Sequence, residues 1–241
     1  MMKSLRIPAI PRLFASRRPS AAVRPIADRV REARLTYLSK AKLMAIDEAL
    51  QDIACRDVPG AFLECGVALG GSAIVISTSM PAGREFHGYD VFRMIPPPTS
   101  EHDDEKSKQR YEVIRSGRSE GIGGDPYYGY MDDLYSRVVD TFTRFGQPVD
   151  GRRITLHKGL FEDTLHLTQD VAFAHIDCDW YDPVKLCLQR IVSRLSRGGY
   201  VVLDDYNDYG GCRTATDEFL ADARDLTVVA RAPNFVLRRD L

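Results

Sequence analysis

Several features that would define a class of protein are missing from this sequence. No apolar run approaches the roughly 20 residues that span a bilayer, and the long uncharged stretch 65–82 is interrupted by Gly66, Gly70 and Gly71. The five cysteines form an odd set with no Cys-x-x-Cys pair and no histidine spacing suited to zinc. These absences exclude stable membrane insertion, a disulfide framework and a zinc site, and they predict a reducing, cytoplasmic location.

Acidic residues are also missing from positions 1–27, which contain six basic ones. This stretch has four prolines and no apolar segment of the kind found in secretory signals, so it is predicted to be a disordered basic tail. The rest of the chain, 28–241, has 27 basic and 34 acidic residues. That balance offers no broad basic face, which argues against nucleic acid as a partner.

What is present is an alternation of strand-like and helix-like segments. Apolar residues at helical spacing predict one or two N-terminal helices over 28–55. Short apolar segments, most of them followed by a helical pattern, predict the strands 61–65, 85–90, 154–157, 172–177 and 200–204. Two last strands, 226–230 and 234–238, are predicted to form an antiparallel hairpin. The expected fold is one α/β domain, 28–241, with a doubly wound, mostly parallel seven-stranded sheet.

Residues 96–130 interrupt the alternation. They include three successive prolines, a run of charged residues at 101–108 and a glycine-rich segment at 121–124. A compact domain rarely carries so long a loop without a functional reason, so we expect a mobile insertion that closes over the site as a lid.

The first candidate site is the glycine-rich stretch 64–72 after the first predicted strand. Its glycines would let backbone amides approach a ligand at a helix N-terminus. The spacing matches neither the Gly-x-Gly-x-x-Gly dinucleotide fingerprint nor a phosphate-binding Gly-Lys-Ser loop, and a plain tight turn is the alternative. Asp90 ends the second strand, where an acid accepts hydrogen bonds from a ribose diol. Together the turn and the acid indicate a nucleoside-containing cofactor.

The second candidate site is a group of carboxylates. Asp177 and Asp179 follow the fourth strand, and Asp204 and Asp205 follow the fifth. If the two strands are neighbours, these acids converge and repel one another unless a cation or raised pKa values compensate. An all-oxygen set suits magnesium, calcium or manganese. The alternative is that the acids only begin a turn and cap a helix.

Other side chains carry less information. The two strand histidines, His157 and His175, are predicted to be structural. The cysteines are expected to be small buried residues rather than nucleophiles. Five aromatic residues are suited either to stacking on a ligand or to packing under a lid: Trp180, Tyr181, Tyr127, Tyr128 and Tyr130.

Taken together, these motifs resemble the macrocin O-methyltransferase family. The resemblance covers roughly 35–225 and is carried by the segments 62–72, 145–146, 159–165, 177–181 and 198–205. It implies a class I S-adenosylmethionine-dependent methyltransferase that methylates a sugar hydroxyl with magnesium. Two segments depart from the family pattern, Ala68-Leu69 and 90–96, and they leave acceptor recognition near Arg93 undefined.

The resemblance also implies roles for individual residues. Glu64, Gly66 and Ser72 would line the methionine and ribose part of S-adenosylmethionine, and Asp90 would hold the ribose. Asp179 matches the family's general base. The remaining matches are Gly159 and Phe161 near the adenine, and Asp177, Asp204 and Asp205 as the magnesium ligands.

The predicted function is therefore magnesium-dependent O-methylation of a sugar hydroxyl in a small-molecule or glycan acceptor, with the metal chelating a vicinal diol. Three alternatives remain open at this point: a catechol-type O-methyltransferase, a NAD-linked oxidoreductase on a Rossmann sheet, and an inactive binding domain. The helices over 28–55 are predicted to serve a homodimer.

Overall fold

The computed structural model describes residues 23–241, and at Val23 and Arg24 only the backbone. Its centre is a seven-stranded sheet in the order β3-β2-β1-β4-β5-β7-β6. Strands β1 to β5 run parallel, and β7 is antiparallel to both β5 and β6. This confirms the predicted mostly parallel sheet with a C-terminal hairpin. The strands are β1 Ala61–Cys65, β2 Phe86–Asp90, β3 Ile154–Lys158, β4 Val171–Ile176, β5 Leu195–Leu203, β6 Leu226–Ala230 and β7 Phe235–Arg239.

Helices cover both faces of the sheet. They are α1 Val23–Glu32, α2 Lys40–Arg56, α3 Gly71–Ser79, α4 Glu105–Arg115, α5 Leu134–Arg144, α6 Phe161–Thr164, α7 Tyr181–Val192 and α8 Gly210–Asp222. In β1, Phe62 packs with the helices α1, α2, α3 and α5, while Leu63 packs with α7 and α8 on the other face. A strand buried on both sides is apolar at nearly every position, as β1 is. No helix in 23–241 is long and apolar enough to cross a membrane.

The N-terminal helices pack on the sheet domain, and the first begins earlier than the sequence indicated. Helix α1 starts at Val23 rather than at 28, and Ile26 and Ala27 are buried. Pro25 was counted with the tail, so this start was missed. A proline is tolerated in the first turn of a helix because the N–H groups there have no partner within the helix. Of the predicted tail 1–27, residues 1–22 lie outside the described part of the chain.

The insertion 96–130 contains secondary structure that the sequence analysis did not predict. The second half of its charge run, 105–108, lies in helix α4, whose N-cap is Asp104. Only Ser107 and Ile114 are buried within that helix. A helix with so few buried positions shows no apolar periodicity, and for this reason the segment was expected to be a loop.

Candidate active site

A cavity of about 600 Å³ lies at the carboxyl ends of the parallel strands. Ligands bind at this edge in open α/β sheets because the loops that follow the strands meet there. Nine of the ten predicted site residues line the cavity: Gly66, Ser72, Asp90, Gly159, Phe161, Asp177, Asp179, Asp204 and Asp205. The structure therefore brings the predicted cofactor and metal residues together in one place.

The loop after β1 needs glycine at its first position. Gly66 has φ 96°, and a Cβ atom there would lie 1.7 Å from the carbonyl oxygen of Asp177. The Gly66 amide donates to the carbonyl of Tyr89 at 2.9 Å, which ties the loop to the end of β2. A side chain at this position would separate β1 from the acid-bearing end of β4, so the glycine keeps both walls of the cavity in contact.

Asp90 fixes the shape of the same loop. Its Oδ2 accepts hydrogen bonds from the amides of Val67 at 2.8 Å and Ala68 at 2.9 Å, and its Oδ1 accepts one from the amide of Phe92 at 2.5 Å. Burial raises the pKa of Asp90, and these three amides oppose that effect. Both Ala68 and Phe92 have positive φ, at 47° and 48°. Such conformations are unfavourable for residues other than glycine and are typical of functional loops.

Glu64 is the one predicted site residue that does not line the cavity. Its side chain is fully buried, and its Oε1 lies 2.7 Å from Nδ1 of His175. Burial raises the pKa of Glu64, while the neighbouring His175 lowers it. The pair lies behind the cavity wall because the Glu64 side chain points from β1 toward the adjacent strand β4. The contact between Glu64 and the cofactor that the resemblance implied stays a prediction.

The predicted acids converge as expected, together with a fifth acid. Asp177, Asp179 and Asp205 each place one carboxylate oxygen within 4.8 Å of the others, and so do Asp204, Asp205 and Asp208. We call these sets the first and second carboxylate triads; Asp205 belongs to both. The triads follow β4 and β5, which are neighbours in the sheet, and this adjacency is the condition on which the prediction depended.

Burial and mutual repulsion raise the pKa values of two carboxyl groups in the cluster, Asp177 and Asp205. Burial raises the pKa of Asp177, and the charge of Asp204 raises it further. Burial likewise raises the pKa of Asp205, with Asp179 as the next cause. Carboxylates that repel one another in a buried cleft are stabilised by a bound cation, and oxygen ligands suit a hard divalent ion. The donor set of the described residues therefore fits magnesium.

Asp204 differs from its neighbours because its charge is compensated. Its Oδ1 accepts a hydrogen bond from Asn234 Nδ2 at 2.9 Å, and its Oδ2 lies 2.8 Å from the Nζ of Lys42. The Nε2 of His175 is 3.9 Å from Oδ1. Burial raises the pKa of Asp204, but His175 and Lys42 outweigh it and hold the pKa below its usual value. Asp204 is thus the carboxylate most firmly kept ionised.

Asp179 occupies an unusual backbone conformation beside this cluster. Its φ is 61°, and its amide donates to Asp205 Oδ2 at 3.2 Å. Aspartate tolerates the left-handed region better than most residues. Burial raises the pKa of Asp179 to about 6, with smaller opposing contributions that include Arg110 from helix α4. A carboxylate whose pKa lies near neutral pH is suited to accept a proton.

Aromatic residues also line the cavity. Tyr127 and Tyr128 of the insertion line the cavity, as does Trp180, whose Nε1 donates to the carbonyl of Pro96 at 3.0 Å. Tyr130 instead binds within the insertion, where its hydroxyl donates to Ile114 O at 2.5 Å. Of the two uses proposed for these aromatics, Tyr130 thus shows packing, while Tyr127 and Tyr128 are placed for contact with a ligand.

Sequence reasoning missed several cavity residues. Lys42 and Tyr37 come from the N-terminal region, and Arg110 comes from the insertion. No motif marks them, because each is distant in sequence from the strand ends that carry the acids. Asp208 could have been found, since it lies four residues after Asp204 in the same loop.

Comparisons with known proteins agree with this geometry. The family model "Macrocin-O-methyltransferase (TylF)" matches residues 12–229. A relative from Streptomyces olivaceus, 8-demethyl-8-(2,3-dimethoxy-alpha-L-rhamnosyl)-tetracenomycin-C 4'-O-methyltransferase, is 27% identical over 186 residues, which are 76% of this chain and 67% of that protein. Demethyldecarbamoylnovobiocin O-methyltransferase from Streptomyces niveus is 25% identical over 196 residues, 77% of this chain and 68% of the relative.

A solved structure shows the same fold. The O-methyltransferase NovP superposes with a TM-score of 0.71 at 21% identity, covering 91% of this chain and 97% of that one. The family model spans most of the sequence, and both relatives are O-methyltransferases. The chain belongs to the macrocin O-methyltransferase family and is an S-adenosylmethionine-dependent O-methyltransferase.

Proposed function

We propose that this enzyme methylates a sugar hydroxyl with the help of a magnesium ion. The observation that carries the proposal is the convergence of carboxylates, Asp204 and Asp205 among them buried, beside the cofactor loop at the ends of two adjacent strands. The name of the Streptomyces olivaceus relative, a 4'-O-methyltransferase of a rhamnosyl tetracenomycin, supports a sugar-bearing acceptor. A small-molecule or glycan acceptor fits the cavity of about 600 Å³.

S-adenosylmethionine supplies a methyl group that is already activated as a sulfonium. The chain's task is to place donor and acceptor in line and to exclude water. Gly66, Ser72 and Asp90 would bind the methionine and ribose part from one side, and Gly159 and Phe161 would bind the adenine end. We expect Glu64 to support this wall from behind through His175.

Asp177, Asp204 and Asp205 would hold the magnesium ion, and Asp179 would act as general base. When bound, magnesium supplies Lewis acidity that lowers the pKa of a chelated hydroxyl of a vicinal diol. Asp179 would then remove the hydroxyl proton at its carboxylate as the methyl group is transferred. The aromatic wall at Tyr127, Tyr128 and Trp180 would stack on the sugar and keep water from the reacting oxygen.

A methyl-transfer assay with labelled S-adenosylmethionine tests the proposal. The acceptors are a rhamnosyl glycoside, a nucleotide-linked deoxysugar and a simple catechol, each measured with Mg²⁺ and with EDTA. We expect a sugar acceptor to be methylated, turnover to disappear in EDTA and to return with added Mg²⁺. Asp177→Asn should lower turnover at least about 100-fold while calorimetry shows unchanged S-adenosylmethionine binding.

Three results would contradict parts of the proposal. Turnover that is insensitive to EDTA and to Asp177→Asn would remove the metal from the mechanism. Methylation of the catechol without any sugar would reassign the acceptor class. Loss of S-adenosylmethionine binding in Asp177→Asn would mean that this residue supports the cofactor site instead. The homodimer and the cytoplasmic location stay predictions from the sequence.

A further inference from the structure

A lysine on the N-terminal helix α2 lies among the acids. Lys42 lies in the first turn of α2, 162 residues before Asp204. Its Nζ donates to the main-chain oxygen of Asp204 at 3.1 Å, to Asp204 Oδ2 at 2.8 Å and to Asp208 Oδ2 at 2.9 Å. An ammonium group has three N–H donors. All three therefore have an oxygen partner. We call these three acceptor oxygens the ammonium site.

The ammonium site overlaps the second carboxylate triad. Lys42 binds two members of the second triad, Asp204 and Asp208. The first triad, Asp177, Asp179 and Asp205, makes no ion pair with a lysine or arginine among residues 23–241. One half of the acid cluster is thus already filled by a cation, and the other half is not.

We propose that Lys42 acts as a built-in monovalent cation that limits the acid cluster to a single divalent ion, bound on the Asp177 side. This inference rests on the magnesium site of the proposed function. Because the ammonium is tethered to α2, dilution cannot remove it, and its charge opposes a second ion near Asp205. Asp204 can still serve the first ion, since each carboxylate oxygen has more than one lone pair.

Removal of the lysine should expose the second triad. Without the ammonium, the carboxylates of Asp204 and Asp208 would face each other with less compensation, and Asp208 is half exposed, so it can adjust. Three carboxylates within 4.8 Å then provide an all-oxygen site for a hard divalent ion. The expected change is therefore a gain of cation binding, which the loss of a merely structural contact would not produce.

The test counts bound Mn²⁺, a paramagnetic substitute for Mg²⁺, by electron paramagnetic resonance of the free ion. We expect one Mn²⁺ per chain in the wild-type protein and in Lys42→Arg, which keeps the positive charge. Lys42→Ala should bind two. Lys42→Gln, which removes the charge and keeps much of the side chain, is measured in parallel in case the alanine variant does not fold. Adding Asp208→Asn to Lys42→Ala should return the count to one.

The other outcomes would contradict either the role of Lys42 or the metal site on which it depends. A count of two in the wild-type protein, or of one in both neutral variants, would show that Lys42 does not limit the stoichiometry. A second ion that persists after Asp208→Asn would place it elsewhere and also refute the inference. Failure of the wild-type protein to bind Mn²⁺ would remove the proposed metal site itself, and the role of Lys42 with it.

Discussion

Asp179 is the residue whose assignment most needs a direct test, because the structure allows two roles. It belongs to the first carboxylate triad, as a ligand would, and burial raises its pKa to about 6, as suits a base. We expect Asp179→Asn to lower kcat by about 10²–10⁴-fold with Mn²⁺ affinity nearly unchanged. Asparagine tolerates the φ of 61°, so the loop should keep its shape.

The pH profile and a control variant complete this prediction. A carboxyl group with a raised pKa is protonated below about pH 6 and ionised above it, so wild-type turnover should fall as the pH drops through about 6. Asp182→Asn removes a charge from the same cavity without touching either triad, and its effect should stay within about tenfold. If Asp179→Asn loses Mn²⁺ together with activity, Asp179 is a ligand rather than the base.

For individual residues, the sequence predicted the acids of the site but not the side chains that contact them. Asp177 and Asp205 could be predicted because strand ends are visible as apolar runs followed by polar residues. The contact of Glu64 with His175 on the next strand was not predicted, since a motif does not reveal which way a side chain turns. Lys42 could not be found at all, because only the folded chain brings α2 beside the loop after β5.

Among the elements, the insertion is attached to the site more closely than its sequence indicated. Asp104 Oδ1 accepts from the amide of Ser107 at 2.9 Å and caps α4, while its Oδ2 accepts from the amide of Gly210 at 3.0 Å at the start of α8. Asp103 Oδ1 accepts from the amide of Tyr181 at 2.8 Å at the start of α7. Carboxylates at helix N-termini are favourable electrostatically. The insertion is therefore joined to the two helices that follow the acid-bearing strands.

Asp104→Ala should loosen this connection. Losing an N-cap costs about 1 kcal/mol, and here the bond to α8 is lost as well. We expect faster hydrogen exchange in Glu105–Arg115 and a higher acceptor KM, with S-adenosylmethionine affinity unchanged. Asp133→Ala is the matched control, since Asp133 caps α5 in the same way without bonding to α8. An equal rise in KM in both variants would show that only general helix stability matters.

The strands were easier to predict than this insertion, for a physical reason. The central strands β1 and β4 are buried on both faces and read as short apolar runs, so they were predicted near their observed positions. Strand β5 begins at Leu195, earlier than the predicted start at 200, and it contains Gly198 and Gly199. Gly199 fits there because a Cβ atom would lie only 3.0 Å from Ala172 O of the neighbouring strand, a contact that sequence alone does not show.

For the molecule as a whole, stability should depend on a histidine pair on β2 and β3 whose side chains do not line the cavity. His157 Nε2 lies 3.2 Å from His87 Nδ1, and the His157 ring stacks on Tyr89 with centroids 4.4 Å apart. Glu85 and Gln169 contact the other side of His87. Burial, reinforced by His87, lowers the pKa of His157 below 6.5. The unfolded chain therefore binds a proton at a pH where the folded chain does not, and acid favours unfolding.

The contribution of His157 to the free energy of unfolding should thus decrease as the pH falls from about 7.5 to 5.5. Compared with the wild-type protein, His157→Gln should therefore lose less stability, or gain more, over this window in urea denaturation, by less than about 1 kcal/mol because the ring is only partly buried. His166→Gln replaces an exposed histidine and should keep the wild-type dependence. Equal slopes in the wild-type protein and His157→Gln would show that the pair does not couple protonation to folding.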